Sequence, residues 1–226
     1  MLTVKVFTIF PEVFPGTLGI SLPLKALKEG KWKLEVINIR DFPKDKHKSV
    51  DEYPYGGGSG MLMKADVLGD AIESELAKET SKPLIILTSA RGKTFNQKMA
   101  SDFSKLEVIY IICGRFEGVD ERFIEYYNIS EINLGKFVLF GGETAAITML
   151  EAVVRLLPEV LGNAKTTDEE SYAIGTEFED LMEYPQYTAP REWKGLEVPE
   201  VLVSGDHAKI KKWRLLKAKE ITEKYT

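Results

Sequence analysis

The chain has a single cysteine, Cys113, in 226 residues. That excludes a disulfide framework and any metal site built from clustered cysteines. Two histidines, His47 and His207, leave little with which to hold zinc. No stretch approaches the roughly 18 consecutive apolar residues of a membrane span. The opening MLTVKVFTIF lacks the basic segment and long apolar core of a secretory leader. A reduced, cytoplasmic protein is expected. Nucleotide-binding signatures are missing too. RGKT at Arg91–Thr94 ends like a Walker motif, but Leu87 stands where the upstream glycine belongs. That counts against a phosphotransferase. No strand-linked GxGxxG occurs, so a Rossmann fingerprint is absent. Acidic residues outnumber basic ones only by 35 to 30, a net charge of −5. This argues against a surface basic all over but leaves room for a local basic patch.

What is present has globular texture, with 44% apolar and 29% charged residues. The length suits one main domain and a small second one. Leu2–Phe10 and Leu34–Ile39 read as strands, and Ser21–Glu29 as a helix with Gly30 at its end. Arg40–Met61 is a long loop without periodicity, a kind that tends to be functional. The spacing predicts helices over Ala65–Lys78, Phe95–Phe103, Val119–Tyr127 and Glu143–Leu157. Apolar runs predict strands over Leu84–Leu87, Val108–Cys113, Ile129–Leu134 and Phe137–Phe140. Strands alternating with helices, several wholly apolar, indicate an α/β fold: a mostly parallel sheet with helices on both faces. Ligands of such sheets bind beyond the carboxyl ends of the strands. Ser89–Thr94, Gly114–Glu121 and Phe140–Glu143 lie at such ends. We expect a main domain over 1–161, a flexible linker over 162–176 and a small helical domain over 177–226.

Each motif has a plain reading beside a functional one. YGGGSGMLM, Tyr55–Met63, is a flexible surface loop or a place of close backbone approach to a ligand. CGRFEGVDER, Cys113–Arg122, is helix capping with surface ion pairs, or a binding loop. Gly141 and Gly142 make a tight turn or expose helix N–H groups to a polar ligand. Arg155, on an apolar helix, lies on an exposed stripe, pairs with Glu151, or acts on a ligand. Asp168, Glu169 and Glu170 are solvated linker or hold a general base. Ser204–Thr226 carries seven basic and three acidic residues, a local net of +4, with Ile210, Trp213, Leu216 and Ile221 as its apolar stripe. Such a helix grips phosphates or simply presents a solvated face; Trp213 is assigned to the core.

Taken in order, RDF…VDEYPYGGGSGMLM, CGRFEGVDER, FVLFGGE, RLLPEVLG and YPQYTAPREWKGLEVPEVLVSGDHAKIKKWR resemble the bacterial tRNA (guanine-N1)-methyltransferase family of TrmD type, along essentially the whole chain. The resemblance implies a SPOUT fold with a trefoil knot, a homodimer with shared active sites, and no other stable protein partner. It implies S-adenosylmethionine as cofactor, magnesium as a candidate second one, and methylation of N1 of guanosine at tRNA position 37. It assigns the cofactor to Ser89, Gly92, Gly114, Glu117, Leu134, Gly135, Phe137, Leu139, Gly141 and Gly142, with their neighbours Ala90, Arg115, Asn133 and Val138. Arg155 matches an arginine assisting at the guanine. His47, Asp51, Tyr55, Gly57 and Gly58 fall on the substrate side, and Glu183, Lys209, Lys212 and Arg214 are further tRNA candidates.

The chain departs from the family pattern in several places. Ala90 and Arg91 stand for Pro-Gln, Thr144 and Ala145 for Leu-Pro, and Glu183, Tyr184 and Gln186 for Asp, Cys and His. Most importantly, Glu170 stands for the family's catalytic aspartate, one methylene longer. A carboxylate there removes the N1 proton. A non-catalytic RNA-binding module of the same fold is the alternative.

Overall fold

The computed structural model describes residues 1–162 and 164–225, with backbone only at 164 and 165. The chain forms two compact units, Met1–Gly162 and residues 163–226.

The first unit is built on a five-stranded sheet. Its strands are β1 (Leu2–Thr8), β2 (Trp32–Asn38), β5 (Leu84–Thr94), β6 (Val108–Cys113) and β7 (Ser130–Asn133). They run in the order β2-β1-β6-β5-β7, every neighbouring pair parallel. Alternate side chains feed two cores, as a pleated strand requires. Val4, Val6, Ile86, Ile109 and Ile111 face one layer with helices α1 (Ser21–Lys28), α3 (Gln97–Phe103) and α5 (Glu143–Val154). Phe7, Ile85, Leu87, Tyr110 and Ile112 face the other, with α2 (Ala65–Leu76) and α4 (Glu121–Tyr127). Each such aliphatic side chain, fully buried, contributes roughly 1.5–3 kcal/mol.

Local chemistry sets the helix ends. The Asn96 side chain accepts from Met99 N at 2.9 Å and starts α3; Asp120 accepts from Arg122 N at 3.0 Å and starts α4. Asn128 closes α4 in the left-handed conformation, φ +48°. The long loop after β2 contains a small antiparallel pair, β3 (Asp51–Glu52) with β4 (Leu62–Met63).

Three expectations need correction. Phe137–Phe140 is not a strand. Val138 is 85% and Phe140 102% exposed, so these apolar residues form surface rather than a buried ladder. The strand expected over Leu84–Leu87 continues to Thr94, because after a register shift Lys93 and Thr94 pair again with β7. Ser89–Thr94 is therefore strand, not loop. Helix α5 stops at Val154, with Arg155 as its cap rather than an interior residue.

The second unit packs Ala173, Phe178, Tyr184 and Ala218 together, with Leu181, Trp213 and Leu215 against them. It contains the hairpin β8 (Glu192–Trp193) with β9 (Leu196–Glu197), the short α6 (Glu200–Val203) and the basic α7 (His207–Tyr225). Trp213 does pack on the core, but Leu216 is exposed. The inward face of α7 is carried by Leu215 and Ala218 instead. Of the expected linker over 162–176, residue 163 lies outside the described residues, as does Thr226 at the end of the expected basic helix. From Glu169 onward that segment is tied to the second unit: Tyr172 N donates to Leu181 O at 2.8 Å, and Ala173 is buried. Among the described residues no helix is long and apolar enough to cross a membrane.

Candidate active site

Thr88, where the pairing of β5 with β6 ends, and the carboxyl end of β6 meet the turn into α5, and three residues interlock there. Thr88 Oγ1 donates to Ile112 O at 3.2 Å and accepts from Gly114 N at 3.1 Å. Gly142 N donates to Gly114 O at 2.9 Å. A methyl on Gly114 would lie 2.7 Å from Thr88 O, and one on Gly142 would overlap the Thr88 hydroxyl. Glycine is needed at both places for close approach of backbones, not for unusual torsions.

A buried ion pair fixes the same turn. Glu143, 2% exposed, accepts from Thr8 Oγ1 at 2.7 Å and from Arg115 Nε at 2.8 Å. Arg115 also reaches Phe140 O at 3.3 Å and lies 4.5 Å from the Phe10 ring centroid. The carboxylate sits in the first turn of α5, where the helix dipole favours negative charge. Burial, followed by the nearby Glu143 charge, pushes the Cys113 thiol well up, so it stays protonated and unreactive.

These segments enclose a cavity of about 450 Å³. Twelve of the fourteen residues expected to bind the cofactor line it: Ser89, Ala90, Gly114, Arg115, Glu117, Asn133, Leu134, Phe137, Val138, Leu139, Gly141 and Gly142. Gly92 and Gly135 stand behind the wall. A methyl on Gly92 would run into the backbone of Glu131 and Ile132, and one on Gly135 would meet the Phe137 ring at 2.8 Å. Asn133 donates from Nδ2 to Gly92 O, while its Oδ1 is buried with no hydrogen-bond partner among the described residues. Sequence reasoning missed Leu62, Thr88, Phe116, Val119, Ile132 and Ala145 as lining residues. For Thr88 and Phe116 the signal was available, since each adjoins a residue chosen at a strand end. Arg91 pairs with Glu131 at 2.8 Å and Glu121 at 2.5 Å across the rim.

The glycine-rich loop docks on the segment after β6. Glu117 N donates to Met61 O and Met63 N to Gly118 O, both at 2.9 Å. The Glu117 side chain packs over Gly60, whose φ of +83° further excludes a side chain. Leu62 thereby joins the cavity wall. Among the residues expected on the substrate side, His47 is exposed in a turn held by Asp45, which accepts from its N–H at 2.9 Å. Asp51 pairs with Met63 in β3–β4. Gly57 and Gly58 are exposed, and Tyr55 is 98% exposed beside a second cavity of about 630 Å³ that Tyr53, Tyr126 and Arg122 also line. Nothing in the sequence alone singled out Tyr53 and Tyr126. Arg155 is half-buried at the end of α5, and Glu151, one turn earlier, accepts from Thr17 Oγ1 at 2.7 Å.

In the second unit Glu170 is half-buried, and its carbonyl accepts from Ala173 N at 3.3 Å. Glu183 accepts from Gln186 Nε2 at 2.6 Å. Lys209 and Lys212 are exposed on α7, Lys209 pairing with Asp206 at 3.0 Å. Arg214 instead turns inward: it pairs with Glu169 at 2.8 Å and lies over the Tyr184 ring. Among the described residues no three His, Cys, Asp or Glu side chains gather as a metal site.

The family described as tRNA (Guanine-1)-methyltransferase TrmD matches residues 2–226. A tRNA (guanine-N(1)-)-methyltransferase of Roseobacter denitrificans is 49% identical over 219 residues, covering 97% of this chain and 89% of the relative. One from Wolbachia pipientis wMel is 49% identical over 221 residues, covering 98% and 92%. One from Brucella ovis is 49% identical over 218 residues, covering 96% and 87%. A match running from the second residue to the last, through every segment that builds the cavity, shows that the chain belongs to the tRNA (guanine-1)-methyltransferase TrmD family.

Proposed function

We propose that this chain transfers the methyl group of S-adenosylmethionine to N1 of the guanosine at tRNA position 37, working as a homodimer with a trefoil knot in its first unit. The observation that carries the reading is the cavity beside the middle of β5 and the end of β6, lined by twelve of the fourteen expected residues in a chain of this family. Its residues fit the cofactor. Leu87, Ile132, Leu134, Val138 and Leu139 offer apolar walls to a nucleoside, and the volume lies within the roughly 300–1,000 Å³ of ligand pockets. Asn133 Oδ1 is a buried acceptor left for a ligand donor. The charges of Arg115 and Arg91 are already offset by carboxylates, so they do not repel a cationic ligand.

S-adenosylmethionine, when bound, supplies a methyl group already activated on a sulfonium. The protein supplies alignment and proton removal. Neutral guanine N1 carries a proton, and its in-plane lone pair is not free until that proton leaves. Glu170 accepts it. Arg155 balances the negative charge growing toward O6. Lys209 and Lys212 meet tRNA phosphates. A second copy of the chain covers the exposed Phe137–Phe140 surface.

Calorimetric titration with S-adenosylmethionine, run beside methyl transfer on wild type and Glu170→Ala, tests this. Equal affinities with transfer lowered by about 10²–10⁴ in the variant are expected. Near-normal turnover would remove Glu170 from the role and leave Asp168 or Glu169. A wild type that binds tRNA without turnover would favour the RNA-binding module, which the Glu170 replacement specifically suggests.

A further inference from the structure

We propose that Glu169, Tyr184 and Arg214 form a clamp that fixes the chain at Glu169 and so positions the neighbouring Glu170. Glu169 is a positioning residue and not the base. This rests on the reading of Glu170 as the proton acceptor given above.

Three adjacent acids, Asp168, Glu169 and Glu170, offer the same chemistry, and the contacts of Glu169 define its role. One oxygen of Glu169, Oε2, accepts from the Tyr184 hydroxyl at 2.6 Å and from Arg214 Nη1 at 2.8 Å. Tyr184 is 6% exposed and packs beside Phe178 in the core of the second unit. The Arg214 guanidinium lies 4.9 Å from the centroid of the Tyr184 ring. The three groups therefore hold one another. Charge-assisted bonds to a carboxylate are the strong ones, and swinging the Glu169 side chain away toward a substrate would break both. Burial first, and the bond to Glu169 second, push the Tyr184 phenol up to about 12, so it remains a donor at neutral pH.

The chain is fixed on the far side of Glu170 as well. Ser171 Oγ accepts from Glu183 N at 2.8 Å. Tyr172 N donates to Leu181 O at 2.8 Å, and Ala173 is 2% exposed. Glu170 thus lies between a side-chain anchor at 169 and backbone and core anchors at 171–173.

The full chain carrying Tyr184→Phe, Glu169→Gln or Glu170→Gln tests the clamp. Tyr184→Phe keeps the ring and removes one hydrogen bond. It should lower kcat on the order of 10-fold, with KM for tRNA, affinity for S-adenosylmethionine and Tm essentially unchanged. Glu169→Gln should lower kcat on the order of 10- to 100-fold, and Glu170→Gln by about 10³ or more. Amide hydrogen exchange at residues 170–173 should quicken in the first two variants and not in the third. If Glu169→Gln is as inactive as Glu170→Gln, with exchange unchanged, Glu169 acts chemically and the proposal fails. Unchanged kcat and exchange in Tyr184→Phe would also overturn it. A wild type without methyl transfer would defeat the functional reading instead. The exchange comparison would then still decide the clamp, faster exchange supporting it and unchanged exchange ruling it out.

Discussion

The hydroxyl of Thr88 occupies the space into which a side chain at Gly142 would project. That hydroxyl is itself held between Ile112 O and Gly114 N, so it has nowhere to move. The middle of β5, the end of β6 and the start of α5 are locked together at one atom in the cavity wall.

Gly142→Ala should therefore destabilise the fold by about 1–3 kcal/mol through overpacking and weaken binding of S-adenosylmethionine. Thermal melts and calorimetry measure both. Adding Thr88→Ala should recover part of the loss, so the double variant is less impaired than the sum of the singles. Strict additivity would contradict the contact.

Glu143 makes a different kind of lock, a buried carboxylate joining Thr8, Arg115 and the turn into α5. Glu143→Ala leaves Arg115 without its main partner and should cost about 3–5 kcal/mol. Chemical denaturation reads the loss. A change below about 1 kcal/mol, the range of an exposed pair, would show that the bridge is not buried in solution.

The buried Lys5 lies 2.7 Å from Glu79, 2.8 Å from Glu75 and 3.6 Å from Glu35. Burial alone would lower its pKa, but hydrogen bonds to Glu75 and Glu79 outweigh that and raise it. For Glu75, burial pushes upward, yet Lys5 and Lys78 together hold it below its ordinary 4.5. Glu35 is also lowered, chiefly by Lys33. The depressed carboxylates stabilise the fold above 4.5, and that contribution is lost as pH falls through their native values. The Lys5 contribution is complete below 10.5 and is lost as pH rises through its raised value. Melting temperature should thus hold across neutral pH and fall in acid below about 4.5. Glu75→Gln should make that acid limb shallower; an unchanged limb would dissociate this cluster from the acid response.

The exposed run Phe137–Phe140 supplies a prediction about assembly. The proposed homodimer should sediment as a dimer in analytical ultracentrifugation, and Val138→Ser with Phe140→Ser should shift it to a monomer that keeps its fold. A dimer of unchanged affinity would place the interface elsewhere.

Much of the first unit was legible because its strands are continuous apolar runs at the ends of which glycines gather. Val108–Cys113 followed by Gly114 is the clearest case, and the three strand-end segments chosen from sequence do meet at one cavity. Phe137–Phe140 misled because apolarity implies burial only when something covers the surface, and among the described residues Val138 and Phe140 are left largely uncovered. Leu84–Leu87 was read short because polar Ser89–Thr94 gives no hydrophobic signal. Its pairing with β7 depends on a register shift that no local pattern encodes. On α7, Leu216 and Leu215 are equally apolar, and only the position of Ala173, Phe178 and Tyr184 decides that Leu215 faces inward. That Arg214 pairs with Glu169 was not legible, because a basic helix hides which of its cations is paired within the unit.

The most direct measurement is transfer of label from radiolabelled S-adenosylmethionine to two tRNA transcripts, one with guanosine at position 37 and one with adenosine there. Incorporation into the first alone is predicted, and it would establish the proposed activity and its position. No incorporation into either, with tRNA binding intact, would contradict the proposed activity and leave an RNA-binding protein of the same fold.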